Sequence, residues 1–415
     1  MGITGLIVEY NPFHNGHQYH LSHSREVTKN EYTIAIMSGH FLQRGEPALF
    51  NKWIRTKMAL YAGVDIVIEL PVVFSCQSAE LFAFGSVQCL EKLNVVTHLV
   101  FGSEYENFHS IESIAKILAH EPELFKTLLK NQLKTGVSFP QARMTALEKY
   151  ISHSGHQDKN ISSILSQPNN ILAVEYTKWL HRFKSSIQPR SIKRIGSGYH
   201  DSNINTDISS ATAIRNLLIT KEYPFEILEN LVPPCTFSLI QEALNTHFLG
   251  QLNTLSPSIL SLITKSNALD LKNFMDVTEG LNNRFKKLLK TNSIDQYIDL
   301  IKTKRYTQTR IQRILCQMLL GITDEDFKLF MKNDGVQYIR VLGFNKKGME
   351  VLPQIKRNCS LPIITNLAKS YRSLNPIQKK MMDYDILATN LYNLHFTKDQ
   401  YFQQNMDFYC SPIIV

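Results

Sequence analysis

ITGLIVEYNPFHNGHQYH, residues 3 to 20, changes character midway. An apolar, β-branched run from Ile3 to Val8 gives way to three histidines within seven positions, beside a proline and a glycine. The run reads as a buried strand. Pro12 fixes φ as the chain leaves it, and Gly16 lets the backbone come close to a ligand. Imidazoles at short spacing suggest zinc first, but these do not form a closed ligand set, and no metal site is expected. His14 and His17 straddle Gly16 where strand turns to helix, so their rings project toward the next helix's N-terminus, a position that binds anions. Two imidazoles beside free N–H groups are suited to stabilising charge on a pentacovalent α-phosphate and on departing pyrophosphate. The bland alternative is a polar turn with exposed histidines.

Outward from this turn the pattern repeats. Apolar runs at ITGLIVEY (3–10), YTIAIMSG (32–39), VDIVIELP (64–71), VTHLVFGS (96–103) and SIQPRSIKRIG (186–196) are separated by helix-like segments such as 51–63 and 78–93. Continuous apolar strands alternating with helices predict an α/β, Rossmann-like, doubly wound parallel sheet covered on both faces. Ligands bind such sheets beyond the carboxyl ends of the strands. Residues 105–185 read as a helical insertion with a polar break at 152–160. The strand alternation stops after residue 220, and Pro233-Pro234 marks a boundary. The expectation is a catalytic domain over 1–230 and a mainly α-helical domain over 231–415, with a short mixed segment near YIRVLGFNKKG and LPIITN.

At 415 residues with 43% hydrophobic and 20% charged content, the chain has the composition of an ordinary soluble globular protein. No apolar run approaches a membrane span and the amino terminus lacks secretory signal features, so a cytoplasmic protein is expected. The six cysteines are far apart, with no C-x-x-C pair, and read as reduced thiols. The formal charge of +9 is concentrated. Between residues 284 and 313 nine bases (Arg284, Lys286, Lys287, Lys290, Lys302, Lys304, Arg305, Arg310, Arg313) face two acids (Asp295, Asp299), a net +7. Charge runs are usually solvated helix faces. One this lopsided would also attract an RNA backbone, and Phe285, Tyr297 and Tyr306 between the bases are either core or stacking residues.

YNPFHNGH resembles the (F/Y)-(D/N)-P-x-H-x-G-H signature of the nucleotidyltransferase superfamily related to class I aminoacyl-tRNA synthetases. SATAIR (Ser210 to Arg215) is similar to its S-S-T-x-I-R motif, with Ala211 in place of the middle serine. Only Ser210, Thr212 and Arg215 carry over. GLIVEYNPFHNGHQYH, MSGHFLQRGEPA, KWIRTKMAL, VDIVIELP, FGSE, PNNILAVEY, VLGFNKKG and LPIIT together resemble the bacterial tRNA(Met) cytidine acetate ligase family over essentially the whole chain. The resemblance implies activation of acetate with ATP to acetyl-adenylate, then acetylation of N4 of the wobble cytidine in the anticodon of elongator tRNA(Met). It implies ATP-binding positions at Ile7, Val8, Glu9, Tyr10, Asn11, Pro12, Phe13, His14, Asn15, Gly16, His17, Gln18, Tyr19 and His20, at Gly102 and Asn169, and at Arg194 and Ile195. Mg²⁺ is expected only as a companion of the triphosphate.

Each remaining position has a physical reading. Gly102, after a strand, allows close approach to a nucleotide or simply a tight turn. Asn169, after Pro168, is a helix cap that also offers an amide. Arg194 ends a strand as a phosphate or ribose ligand, or as a solvated arginine. His40, Gln43 and Arg44, following the second strand, are candidates for holding a small carboxylate or a cytosine ring. Lys52, Arg55 and Lys57 read as the solvated face of a helix. Arg284, Lys286, Lys287, Lys304, Arg305, Arg310 and Arg313 are the candidate tRNA contacts. Two rivals stand beside the ligase: an adenylyltransferase acting on a small phosphorylated metabolite, and a non-enzymatic RNA-binding protein with a relict nucleotide site. The long basic helical half argues against the first and the intact HNGH against the second.

Overall fold

The computed structural model describes residues 2–105, 107–153, 161–195, 209–220 and 224–415. The five predicted strands appear as β1 (Ile3–Val8), β2 (Tyr32–Ser38), β3 (Ile66–Leu70), β4 (His98–Ser103) and β5 (Gln188–Lys193). Three more come from the carboxyl-terminal segment: β6 (Ile339–Phe344), β7 (Ile363–Ile364) and β8 (Ile413–Ile414). All eight belong to one sheet of order β5-β4-β1-β2-β3-β6-β7, with β8 also paired to β6. Every pairing is parallel except β3 with β6.

Alternate residues of the central strands enter different apolar clusters. Ile34, Ile36, Ile66, Ile68, Leu99 and Phe101 join one, whereas Ala35, Met37, Val67 and Val100 join the other. That period of two places a core on each face, as continuous apolar strands predict. The order also reverses at β1: β2 and β3 follow on one side, β4 and β5 on the other. The crevice beyond the carboxyl ends of β1 and β4 is therefore a topological switch point.

The expected boundary near residue 231 does not divide the packing. Beyond it the chain is mainly helical, but β6 covers the edge of β3 and one apolar cluster runs from Ile34 and Phe74 to Ile259, Ile311 and Met381. A buried ion cluster reinforces the joint. Lys52, at the start of the helix Lys52–Tyr61, places Nζ 2.8 Å from Glu69 Oε1 and 2.7 Å from Asp407 Oδ1, and Arg340 bridges the same two carboxylates at 3.2 and 2.6 Å. Lys52 and Arg55 are thus buried rather than solvated. Arg55 spends its guanidinium on the carbonyls of Phe50, Glu9, Ser38 and Gly39, tying the ends of β1 and β2 together.

All six cysteines are free, and Cys76, Cys89 and Cys316 are buried. No described helix is long and apolar enough to cross a membrane. The polar break predicted over 152–160 lies outside the described residues from 154 onward.

Candidate active site

The turn after β1 is anchored by its own apolar residues. Tyr10 and Phe13 are buried, and Asn11 Oδ1 accepts the Leu49 N–H at 2.7 Å. Tyr10 has φ of 48°, which swings the chain into the helix Asn15–Thr28. That helix is capped by the histidines themselves. His14 Nδ1 accepts the Gly16 N–H at 3.0 Å, and His17 Nδ1 accepts the His14 N–H at 3.3 Å. This is a capping box built from imidazoles instead of hydroxyl and carboxylate. It also sets the tautomer. A neutral ring that accepts at Nδ1 carries its proton on Nε2, so two Nε2–H donors stand side by side with ring centroids 3.8 Å apart.

Both rings stay neutral. Burial, then Arg194 and Arg215, lowers the His14 pKa to about 3, and burial, then His14 and Arg194, holds His17 well below the ordinary value. His20, one turn on, is lowered to about 4 by burial and Arg194, and its buried Nε2 has no partner among the described residues. These neutral donors sit in a strongly basic neighbourhood, which suits a polyanionic ligand.

The three rings border a cavity of about 430 Å³, a size suited to a nucleotide-sized ligand. Of the predicted nucleotide positions, Ile7, Val8, Glu9, Tyr10, Asn11, His14, Gly16, His17, Tyr19, His20, Gly102, Asn169, Arg194, Ile195, Ser210, Thr212 and Arg215 all line it. Pro12, Phe13, Asn15 and Gln18 do not. Phe13 is core, Asn15 donates to the Asn230 carbonyl and Gln18 to that of Ala62.

On one side, Gly102 makes room for Arg194. A Cβ there would lie 3.2 Å from Arg194 Cγ, so the absence of a side chain lets the arginine lie across β4. Asn169 donates to Glu104, and Asn170 Oδ1 collects Ser103 Oγ and the amides of Glu104 and Tyr105, fixing the loop after β4. At the far end Ser210 caps the helix Ala211–Thr220, its Oγ accepting the Ala213 N–H at 3.1 Å. Arg215 on that helix donates to Thr212 Oγ1 and to the Asn11 carbonyl, joining the two motifs that lie two hundred residues apart in sequence.

The loop after β2 closes the remaining side. Gln43, Arg44 and Glu46 line the cavity, whereas His40 does not. His40 is packed against Tyr392 with Nδ1 3.3 Å from Thr389 Oγ1, beside the Lys52 ion cluster, so it is a core histidine. Glu9 reaches this side too, accepting the Gln43 N–H at 2.8 Å, and burial raises its pKa. Sequence reasoning did not place Glu46 and Thr309 in the site, and it assigned Arg313 to RNA; all three line the cavity. The only local signal for Glu46 was its place in LQRGEPA.

The basic stretch largely resolves into local bonds. Arg284 donates to the Leu300 and Ile301 carbonyls, and Lys286 to those of Ile263, Thr264 and Ser266, closing helix ends. Arg305 pairs with Glu279 at 2.5 Å and Arg310 with Asp276 at 2.8 Å, acids that lie just before the counted window. Lys287, Lys290 and Lys304 are exposed. Phe285 and Tyr297 are core, and Tyr306 donates to the Glu279 carbonyl.

The chain is similar to known proteins over its whole length. The family model of the HIGH nucleotidyl transferases matches residues 1–407. The chain is 42% identical to the tRNA(Met) cytidine acetate ligase of Acetivibrio thermocellus over the full length of both, and 44% identical to that of Clostridium kluyveri over all of this chain and 99% of the relative. Among solved structures, Thermotoga maritima TmcAL without ligand matches with TM-score 0.96 at 37% identity, and the same protein bound to alpha-thio ATP matches with TM-score 0.92, each over both whole chains.

Proposed function

The chain belongs to the tRNA(Met) cytidine acetate ligase family, within the HIGH nucleotidyl transferases, and from that premise we propose that it acetylates N4 of the wobble cytidine in elongator tRNA(Met), using acetate and ATP. An acetate oxygen attacks the α-phosphorus, the bond to the bridging oxygen breaks, and pyrophosphate leaves with its electron pair. The cytidine amine then attacks the acetyl carbonyl, AMP departs, and the amine loses one proton. That amine is a weak nucleophile because its lone pair is delocalised into the ring, so it requires a mixed anhydride held in near-attack geometry. An anticodon loop presents an unstacked base to a pocket.

The observation that carries the reading is the pair of neutral Nε2–H donors on His14 and His17, aimed at a cavity ringed by Arg194 and Arg215. They supply hydrogen bonds where negative charge grows, without adding a proton that must later be removed. Ser210, Thr212 and Arg215 take the β- and γ-phosphates; Gly102, Asn169 and Arg194 take the nucleoside end. ATP as the nucleotide agrees with the alpha-thio ATP complex of the Thermotoga maritima protein. Mg²⁺ would arrive as a companion of the triphosphate. Exposed Lys287, Lys290, Lys304 and Arg305 on the helical segment attract the tRNA backbone, and the reaction belongs in the cytoplasm with that RNA. An adenylyltransferase of small metabolites is disfavoured by full-length likeness to acetate ligases. Exchange of labelled pyrophosphate into ATP tests the first step: it should require acetate.

A further inference from the structure

The loop after β2 and the helix Gln308–Leu319 meet backbone to backbone. A Cβ on Gly45, whose φ is 78°, would lie 2.2 Å from the Arg313 nitrogen and 2.5 Å from its Cα, so only glycine allows the approach. A third segment holds both: Gln317 Nε2 of the helix donates to the Cys76 carbonyl at 2.8 Å, and Gln43 Nε2 of the loop to that of Gln77 at 3.1 Å. The cavity wall of Gln43, Arg44, Glu46, Thr309 and Arg313 is therefore a rigid composite of two distant sequence segments.

Within that wall Arg313 stands out by its lack of a partner. Arg310, one turn earlier, is committed to both oxygens of Asp276 and to Thr278. Arg313 has no hydrogen-bond acceptor and no ion pair for its guanidinium among the described residues. Burial penalises its charge first; Asp276 nearby favours it in part, and Arg310 adds to the penalty. Arg313 is half-buried, and a guanidinium that lines the cavity without a protein partner is open to a ligand that completes it. Asp276, the carboxylate that acts on it, is taken by Arg310, and the carboxylates of the cavity wall are engaged elsewhere: Glu9 accepts the Gln43 N–H, and Glu46 lies 3.8 Å from Arg215.

The sheet order indicates which ligand. Gly102 and Arg194 lie on the β4–β5 side, and the histidine turn follows β1 with Arg215 bonded to it through the Asn11 carbonyl; the proposed function puts nucleoside and phosphates there. The β2 side is left for the second substrate. A guanidinium fork matches the two oxygens of a carboxylate.

We infer that Arg313, with Arg44 beside it, is the carboxylate-binding residue that orients acetate toward the α-phosphate, so that the helical segment completes the adenylation site as well as serving tRNA. The inference rests on the acetate ligase reading. Its test compares wild type with R313A and R313K in acetate-dependent pyrophosphate exchange without tRNA, and then in complete tRNA acetylation at saturating ATP. R313A should raise the acetate KM about ten- to a hundredfold, the effect of losing a charge-assisted hydrogen bond, while the ATP KM stays within about twofold. Added guanidinium ion should restore part of the rate. R313K, which keeps charge and fold but loses the fork, should raise the acetate KM by less. An unchanged acetate KM in a folded R313K and R313A, or a change confined to the tRNA KM, overturns the inference. A wild type that exchanges pyrophosphate without acetate overturns the ligase reading instead.

Discussion

The rings of His14 and His17 lie 3.8 Å apart at an interplanar angle of 34°, each with Nδ1 turned back onto a backbone N–H. One contact therefore sets both the helix cap and the protonation of the groups that face the cavity. The two roles separate by substitution. His14→Asn supplies a cap acceptor of similar reach, so helix stability should hold to within about 1 kcal/mol. Removing the Nε2–H donor should lower the rate of adenylate formation by about two to three orders of magnitude. Thermal melts and pyrophosphate exchange on the same sample check both halves. A variant that melts normally and exchanges normally would remove His14 from the chemistry.

Acid should destabilise the fold in a defined window. His14, at about 3, and His20, at about 4, lie below the ordinary value of 6.5 because burial disfavours their charged forms. Between those values and 6.5 the unfolded chain binds more protons than the folded one, so stability falls as pH falls through that range. Replacing His14 with Asn should make the melting temperature less steep in pH between about 6.5 and 4. An equally steep profile in the variant would mean that His14 is already charged in the native state.

Lys52 faces two carboxylates in the interior. Although burial alone would raise the Asp407 pKa, Arg340 and then Lys52 hold it well below the usual range. Lys52→Met leaves Glu69 and Asp407 short of a counter-charge and should cost about 3–5 kcal/mol in denaturant unfolding. Loss of less than about 1 kcal/mol would show that Arg340 alone neutralises both.

Severing the chain at residue 230 should not yield a working adenylation domain. The fragment would expose the β3 edge that β6 covers and the apolar face continued by Ile259, Ile311 and Met381. Unpaired edges and bared cores aggregate. Sedimentation should find it aggregated or unfolded, whereas a soluble, acetate-activating fragment would restore the two-domain division.

Reversing charge at Lys287, Lys290 and Lys304 should weaken tRNA binding and flatten its salt dependence by about one unit of log-log slope for each phosphate that is no longer neutralised. Pyrophosphate exchange should be untouched. An unchanged slope would place the RNA surface elsewhere.

The sheet and the histidine turn were legible because their signals are local: five apolar runs, and a motif compressed into eight residues. Long-range partners were not. Lys52 and Arg55 have the look of a solvated helix face, since nothing near them in sequence announces Glu69, Asp407 or the carbonyls they serve. The charge imbalance around residue 300 overstated the free charge because Asp276 and Glu279 lie just outside the run. Arg313 belongs to that run in sequence yet lines the cavity in space, a position set by the close packing at Gly45. The carboxyl-terminal strands joined the sheet for the same reason: the mixed segment holding β6 and β7 was legible, but its pairing with β3, and that of β8 with β6, is decided by tertiary contact, not by local pattern.

The most direct test follows two labels through one reaction. The protein is incubated with ATP labelled in adenine, acetate labelled in its carboxyl carbon, and a mixed tRNA pool, and the tRNA is digested to nucleosides. The account predicts acetate label in N4-acetylcytidine from a single tRNA species, with all adenine label released as AMP or left in ATP. Adenine label retained in the product, or product formed without acetate, would contradict it.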